Sequence, residues 1–162
     1  MGPLIIPFVP NNLGRVWINV NMLTKDRKSL EKIRFKLDSG SDFTTINVKD
    51  LGVLGYTQDF LKTCPFHENY ATTASDNIKF SLQYITDISL RFEDREIKGC
   101  RIFFSLGTGL RSLLGCDILK YFDWEVNYTS GEFRLKETLD KPQLSKGESL
   151  LQIYSLEDIA LY

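Results

Sequence analysis

Hydrophobic and polar residues alternate along much of the chain, in the period-two pattern of β-strands that bury one face. Alternating runs, or runs rich in β-branched and aromatic residues, predict strands over residues 15–22, 33–37, 80–92 and 97–104. A polar connection over residues 24–32 suits a long hairpin loop between the first two strands. Residues 124–128 and 132–135 predict a last hairpin, turned by Thr129-Ser130-Gly131. The pattern therefore predicts an all-β domain.

Two short segments interrupt the alternation and carry helix signals. Residues 48–54 suit a short helix or a turn. Residues 117–122 begin with Asp117, and aspartate is a common N-cap because its carboxylate accepts hydrogen bonds from the first backbone N–H groups of a helix. We therefore expect one short helix near the C-terminal end of the domain.

The last part of the chain departs from the strand pattern. Beyond Asp140, the residues Pro142, Ser145 and Gly147 interrupt it before an apolar segment over residues 149–162. We therefore divide the chain into a domain over residues 1–138 and a C-terminal tail over residues 139–162. The tail is expected to be a docked helix or strand, a part of a subunit interface, or a detachable regulatory segment.

The composition excludes several classes of protein. With 162 residues, of which 43% are hydrophobic and 25% charged, the chain fits one globular domain rather than a disordered or fibrous protein. Its 20 Lys and Arg nearly balance its 21 Asp and Glu, so no overall basic field attracts nucleic acid or an anionic membrane. We expect neither of these partners and a function that depends on a local site.

The N-terminal segment and the cysteines favour a cytoplasmic location. The apolar run over residues 4–9 is interrupted by Pro7 and is shorter than the roughly 18 to 20 residues that span a bilayer. It has neither a basic stretch before it nor a small-residue cleavage site after it. Cys64, Cys100 and Cys116 form no Cys-x-x-Cys pair, so we expect reduced thiols.

His67 is the one histidine of the chain and lies beside Pro65 and Phe66. We expect it to be a surface or loop residue. A single histidine removes most routes to a histidine-dependent catalytic triad or to a metal centre with several histidines. The sequence therefore predicts no metal site, and it predicts no cofactor.

The segment with the clearest chemical content is Asp38-Ser39-Gly40-Ser41, which follows a predicted strand directly. Asp, Ser and Gly are common turn residues, so a simple turn is one interpretation of the segment by itself. A second segment, Leu113-Leu114-Gly115, ends another apolar run and leads into the predicted helix. The two segments are informative as a pair.

Together, these segments resemble the retropepsin-like aspartic proteases, single-lobe relatives of pepsin. In that family an apolar strand ends in Asp-[Ser/Thr]-Gly, and a later apolar-apolar-Gly segment crosses behind the catalytic loop and leads into a helix. The order of the other strands and of the final hairpin also matches, so the resemblance covers roughly residues 14–136. It implies a closed all-β barrel with one lobe in each chain.

The resemblance also implies a reaction. Two carboxylates about 3 Å apart share one proton, so one can take a proton from water while the other gives one to the peptide. The chain has one Asp-Ser-Gly segment, so the second carboxylate is Asp38 of the partner subunit in a two-fold homodimer. The expected function is therefore an aspartic endopeptidase, a hydrolase that acts on a polypeptide substrate and needs no cofactor.

The resemblance assigns roles to the residues around Asp38. Ser39 is expected to hydrogen bond across the dimer beneath the two aspartates. Gly40 lets the backbone N–H approach the carboxylate. The hydroxyl of Ser41 is expected to donate to the outer oxygen of Asp38 and so to lower the pH optimum. Residues that should support the loop from behind are Leu113, Leu114 and Gly115.

Two departures from the family pattern concern the flap and the helix. The flap that covers substrate in this family often has a glycine at its tip, but residues 70–78 contain none. Asp76-Asn77 can form the turn instead. Residues expected to contact substrate there are Thr72, Thr73, Ala74 and Ser75. Cys116 stands where many members have arginine, and we expect it to be a core or interface thiol.

Two other functions remain open from the sequence. The fold could serve as a binding or dimerisation module whose catalytic loop is silent. Alternatively, the protease could be held latent by its own tail. The intact Asp-Ser-Gly-Ser segment favours the enzyme, because a module without activity has no need of the aspartate.

Overall fold

The computed structural model describes residues 2–8, 14–24, 27–72, 79–107, 109–139 and 151–155. This part of the chain contains ten strands and three helices. The strands are β1 (Leu4–Pro7), β2 (Trp17–Thr24), β3 (Arg27–Leu37), β4 (Phe66–Thr72), β5 (Lys79–Phe92), β6 (Arg95–Phe104), β7 (Leu113–Leu114), β8 (Phe122–Asn127), β9 (Glu132–Glu137) and β10 (Gln152–Ser155). The helices are α1 (Val48–Val53), α2 (Gln58–Lys62) and α3 (Cys116–Leu119).

The strands form two sheets, so the all-β prediction is confirmed. The larger sheet has the order β10-β6-β5-β2-β3-β7, with β4 also paired to β5. The smaller sheet has the order β1-β9-β8. Nearly all neighbouring strands are antiparallel, but β3 and β7 are parallel, with Lys36 opposite Leu113 and Leu37 opposite Leu114.

The prediction of a closed barrel is wrong. Closure requires hydrogen bonding between the first and last strands of a sheet. In the described part of the chain, the larger sheet ends at β10 on one side and at β7 on the other. Strand β7 has only two residues because Gly115 and α3 follow it at once. The fold is therefore two open sheets.

The prediction of a single short helix is wrong in number. Helix α1 lies where residues 48–54 suggested a helix or turn, and Asn47 caps it by accepting a hydrogen bond from Lys49 N. Helix α3 begins at Cys116, so Asp117 lies inside its first turn rather than at its N-cap. Helix α2 was missed because five residues are too few to show a helical period, although Thr57 caps it.

Strand β3 begins earlier than the sequence predicts. Residues 24–32 were expected to be a polar loop, but β3 starts at Arg27 and pairs with β2 as far as Thr24. One edge of β3 has no strand partner before Lys36 in the described part of the chain. Charged residues are common on such edges because they discourage pairing with other chains, which explains why this strand reads as a loop.

The core lies between the two sheets and the helices. The buried alternation of β2 follows the prediction, with Ile18, Val20 and Met22 inside. Each such side chain contributes about 1.5–3 kcal/mol through burial. Large side chains buried almost completely include Phe35, Phe92, Phe104 and Phe133. The core therefore holds β3, whose end leads into the site, on a rigid base.

The described part of the tail contains a strand. Strand β10 pairs with β6, with Gln152 opposite Lys98. Leu151 N donates to the hydroxyl of Tyr121 at 3.3 Å, and both Leu151 and Ile153 pack half-buried against the core. None of the helices in the described residues is long and apolar enough to cross a membrane.

Candidate active site

Asp38 follows the last residue of β3, and its position depends on the parallel pairing with β7. Lys36 N donates to Ser112 O at 2.9 Å, and Asp38 N donates to Leu114 O at 3.0 Å. Leu114 is buried and Leu113 is half-buried. The two leucines therefore join the loop that follows β3 to the core.

The residues after Asp38 form a tight turn around its carboxylate. Gly40 N donates to Asp38 Oδ1 at 3.0 Å, and Ser41 N donates to Asp38 O at 3.1 Å. A Cβ atom on Gly40 would lie 3.3 Å from Asp38 Oδ1, which is tighter than ordinary van der Waals contact. Asp38 is half-buried, while Ser39 and Gly40 are exposed. The four residues of the motif thus form one turn that presents a carboxylate at the surface.

The Ser41 hydroxyl has a different partner from the one expected. Ser41 Oγ donates to Phe43 O at 2.7 Å, and a hydroxyl has only one proton to give. The expected donation from Ser41 to the Asp38 carboxylate is therefore not present in this structure. The hydroxyl instead stabilises the far side of the turn.

Gly115 is the closest support behind the turn. A Cβ atom there would lie 2.4 Å from Phe43 O and 2.9 Å from Ser41 O, distances that real Cβ atoms do not show. Gly115 N donates to Thr44 Oγ1 at 3.0 Å. The backbone of the loop therefore rests directly on this glycine, and any side chain would push it away.

Thr44 and Asp117 extend this support, and the sequence analysis missed their interaction. Thr44 N donates to Asp117 Oδ2 at 2.9 Å, and Thr44 Oγ1 donates to Asp117 Oδ1 at 2.6 Å. Burial raises the pKa of Asp117 above its usual range, although the hydrogen bonds from Thr44 act in the opposite direction. The signal in the sequence is the position of Asp117, two residues after Gly115. The sequence analysis interprets Asp117 only as a helix cap.

Cys116 also contacts the turn. Its backbone N donates to Ser41 O at 2.8 Å, and its thiol Sγ donates to Ser39 O at 2.9 Å. All three cysteines are free; Cys64 and Cys100 are buried, and Cys116 is half-buried. Burial raises the pKa of the Cys116 thiol, and the nearby carboxylates of Asp42, Asp117 and Asp38 raise it further.

The sequence predicts that His67 is a surface or loop residue, and the structure places it in a strand. It lies on β4 and is half-buried. Its ring packs edge-on against Phe43 and Phe103, with centroids 5.0 and 5.5 Å away. Since Phe43 belongs to the turn that follows Asp38, the histidine joins β4 to the candidate site. The sequence around His67 does not predict its contact with Phe43 and Phe103.

The expected flap residues are only partly described. Thr72 is exposed and ends β4, where it pairs with Lys79 of β5. Thr73, Ala74 and Ser75 lie outside the described residues. The two arms that would carry a flap, β4 and β5, are therefore antiparallel neighbours.

Within the described ranges, no group of three His, Cys, Asp or Glu side chains is arranged to hold a metal ion. The chemistry available at the turn is that of a carboxylate with a backbone N–H donor beside it. One chain contributes one such carboxylate from the Asp-Ser-Gly segment.

Comparison with known proteins supports the fold. The chain is similar to the crystal structure of a retropepsin-like aspartic protease from Rickettsia conorii, with a TM-score of 0.57 and 24% sequence identity. The similarity covers 83% of this chain and 89% of that chain. No family model matches the sequence, and no curated protein matches it. The chain therefore has a retropepsin-like fold.

Proposed function

We propose that the chain is an aspartic endopeptidase that acts as a homodimer. The observation that carries this proposal is the half-buried Asp38 carboxylate, which accepts the Gly40 N–H in a turn that rests on Gly115. The retropepsin-like fold supports it, since the fold of the similar protein is that of an aspartic protease. Under this proposal the domain over residues 1–138 holds the catalytic residue.

The reaction needs Asp38 of both subunits. Two carboxylates about 3 Å apart hold one proton between them because two like charges repel at this distance. The ionised carboxylate takes a proton from a water molecule, whose oxygen then attacks the carbonyl carbon of the peptide. The protonated carboxylate donates to the carbonyl oxygen. Collapse of the tetrahedral intermediate, with a proton delivered to the amide nitrogen, breaks the peptide bond.

The other motif residues have positioning roles in this proposal. Ser39 lies exposed on the turn, where a side chain is accessible to a second subunit, and we assign it the hydrogen bond across the dimer. We assign the substrate contacts of the flap to Thr72, Thr73, Ala74 and Ser75, with an extended polypeptide as the substrate. Main-chain hydrogen bonds to such a substrate are sequence-independent, so side-chain pockets set the preference.

Latency imposed by the tail has less support. Strand β10 pairs with residues 95–98 of β6. The opposite end of β6 lies beside the site, where Phe103 N donates to Thr44 O at 3.0 Å. The described part of the tail is therefore bound at the end of β6 that is far from Asp38.

The test compares the wild-type chain with Asp38→Asn in the cleavage of a denatured protein between pH 3.5 and 7, with and without pepstatin. Loss of acid–base catalysis should lower the rate by at least about 10²-fold. Asp59→Asn, on the exposed face of α2, is the matched control and should keep full activity. Sedimentation at several concentrations should give twice the chain mass of 18.7 kDa.

Two results would reject the proposal. Activity that survives Asp38→Asn would remove the carboxylate from the mechanism. Activity from a chain that sediments at 18.7 kDa would remove the second subunit. A stable dimer without any cleavage would instead support a binding or dimerisation module.

A further inference from the structure

Cys116 contacts both ends of the exposed part of the turn. Its backbone N–H binds the carbonyl of Ser41, and its thiol binds the carbonyl of Ser39. Between these two carbonyls lies Gly40, whose N–H contacts the Asp38 carboxylate. Cys116 therefore holds residues 39–41, the segment that contains the Gly40 N–H donor to Asp38.

The start of α3 explains why one residue can make both contacts. Cys116 is the first residue of this helix, so its N–H has no acceptor within the helix. Side chains in a helix lean toward its N-terminus, and the thiol consequently points back at the turn. Gly115 has no side chain to separate α3 from the turn, so the backbones approach closely.

The chemical state of the thiol is suited to donation. A thiol gives a hydrogen bond only while it is protonated. Burial, and then the charges of Asp42, Asp117 and Asp38, raise the pKa of Cys116 and keep the proton on sulfur at neutral pH. The same charges lower the population of the thiolate, which is the reactive form. The surroundings therefore favour a structural donor over a reactive thiol.

We propose that Cys116 is a positioning residue whose thiol holds the Ser39 carbonyl and so orients the Ser39 side chain for the contact between subunits. This inference rests on the proposed function, because Ser39 makes that contact only in the homodimer. Without the thiol, the turn keeps its bond from Cys116 N at Ser41, but the Ser39 end is released. Dimer formation then has to order the Ser39 end of the turn, which weakens the association.

The experiment compares Cys116→Ala, which removes the donor, with Cys116→Ser, which keeps one. Because a thiol hydrogen bond is weak, we expect the alanine variant to raise the dimer dissociation constant by about three- to tenfold. The serine variant should return it to within about twofold of the wild-type value. Hydrogen exchange of the Gly40 and Ser41 amides, measured in the same samples, should be faster in the alanine variant alone.

Chemical blocking tests the same contact without a mutation. Methyl methanethiosulfonate converts a thiol S–H into S–S–CH₃ and releases methanesulfinate, which removes the donor and adds bulk. Treated wild-type chain should dimerise more weakly and recover when dithiothreitol is added. Treated Cys116→Ser should not change, since Cys64 and Cys100 are buried. This arm also covers the case in which the alanine variant fails to fold.

The outcomes separate this inference from the proposed function. A wild-type chain that cleaves and dimerises, together with an alanine variant of unchanged dissociation constant and amide exchange, would overturn the role of Cys116 alone. Equal weakening in the alanine and serine variants would also overturn it, because the donor would not be the cause. A wild-type chain that neither dimerises nor cleaves would overturn the proposed function, while amide exchange would still report on the thiol contact.

Discussion

Thr44 gives both of its donors to the two carboxylate oxygens of Asp117, the backbone N–H to Oδ2 and the hydroxyl to Oδ1. The threonine hydroxyl also accepts from Gly115 N. The pair thus ties the loop after Asp38 to the helix that follows β7. Since Thr44 is fully buried, the loss of either partner leaves buried polar groups without hydrogen bonds, and such groups are costly.

Two substitutions of Asp117 should show how much of its effect on stability comes from hydrogen bonding and how much from its volume. Asp117→Ala leaves Thr44 N without its acceptor and should lower the free energy of unfolding by about 1–3 kcal/mol. Asp117→Asn keeps one acceptor, for Thr44 N, and a similar volume, but places an NH2 group against the Thr44 hydroxyl, so its cost should be smaller than that of Asp117→Ala. Urea unfolding at pH 6 measures both. Equal losses in the two variants would contradict this account of the pair.

The free energy of unfolding should depend on pH through the titration of Asp117. Its pKa is raised in the folded chain, so the folded state binds this proton more readily than the unfolded state. The group's contribution to stability is therefore fully present in acid and is lost as the pH rises through the folded pKa. Asp117→Asn has no such proton. The stability of the wild type relative to this variant should fall as the pH rises above about 4, the ordinary pKa of an aspartate. A difference that rises with pH would show the opposite shift.

Gly115→Ala should disrupt the loop after Asp38, because no space exists there for a side chain. The new Cβ would meet Phe43 O at 2.4 Å, and both groups belong to backbone that cannot move without breaking hydrogen bonds. We expect a loss of about 3 kcal/mol or more, or failure to fold. Gly52→Ala is the matched control, because Gly52 lies in α1 with open space around its Cβ position. That change should stabilise the chain by about 0.5–1 kcal/mol.

Ser41→Ala should affect stability more than it affects the pH dependence of catalysis. Ser41 Oγ donates to Phe43 O, so the change should cost about 0.5–1.5 kcal/mol. The acidic limb of the pH–rate profile should keep its position, because the hydroxyl proton is not directed at Asp38. Ser130→Ala, in the exposed β8–β9 turn, controls for the loss of a surface hydroxyl. A shift of the acidic limb by about one pH unit, equivalent to about 1.4 kcal/mol, would restore the interpretation drawn from the sequence.

Removal of the tail should weaken the fold without removing the site. A chain that ends at Thr138 loses β10, and with it the half-buried Leu151 and Ile153. We expect its unfolding free energy to fall by about 2 kcal/mol. The uncovered edge of β6 should also promote self-association, which light scattering detects. A chain that ends at Ser155 keeps β10 and is the control. Equal stability of the two chains would mean that the pairing of β10 contributes nothing.

The sequence predicts those features of the fold that depend on local pattern. Strands β2, β5 and β6 and the last hairpin are confirmed, and the buried positions of β2 repeat every two residues. The turn over residues 38–41 could also be located, since Asp, Ser and Gly are turn residues. Helix α2 could not be located because it is too short to show a helical period. The true start of β3 could not be located because its first residues are highly charged.

Long-range contacts of the site could not be predicted in the same way. Thr44 and Asp117 are 73 positions apart, and the pattern around each residue does not identify its partner. His67 shows no pattern that would place it against Phe43. Three-dimensional packing, not local propensity, determines these features.

The parallel pairing of β3 with β7 has a consequence for the order in which the chain is made. Asp38 is synthesised early, but its loop is held through Thr44 by Gly115 and Asp117, which lie 71 and 73 positions after Thr44. At translation rates of about 5–20 residues per second, several seconds separate the aspartate from its supports. A nascent chain therefore carries an unsupported carboxylate until Asp117 has been added, and synthesis itself delays the assembly of the site.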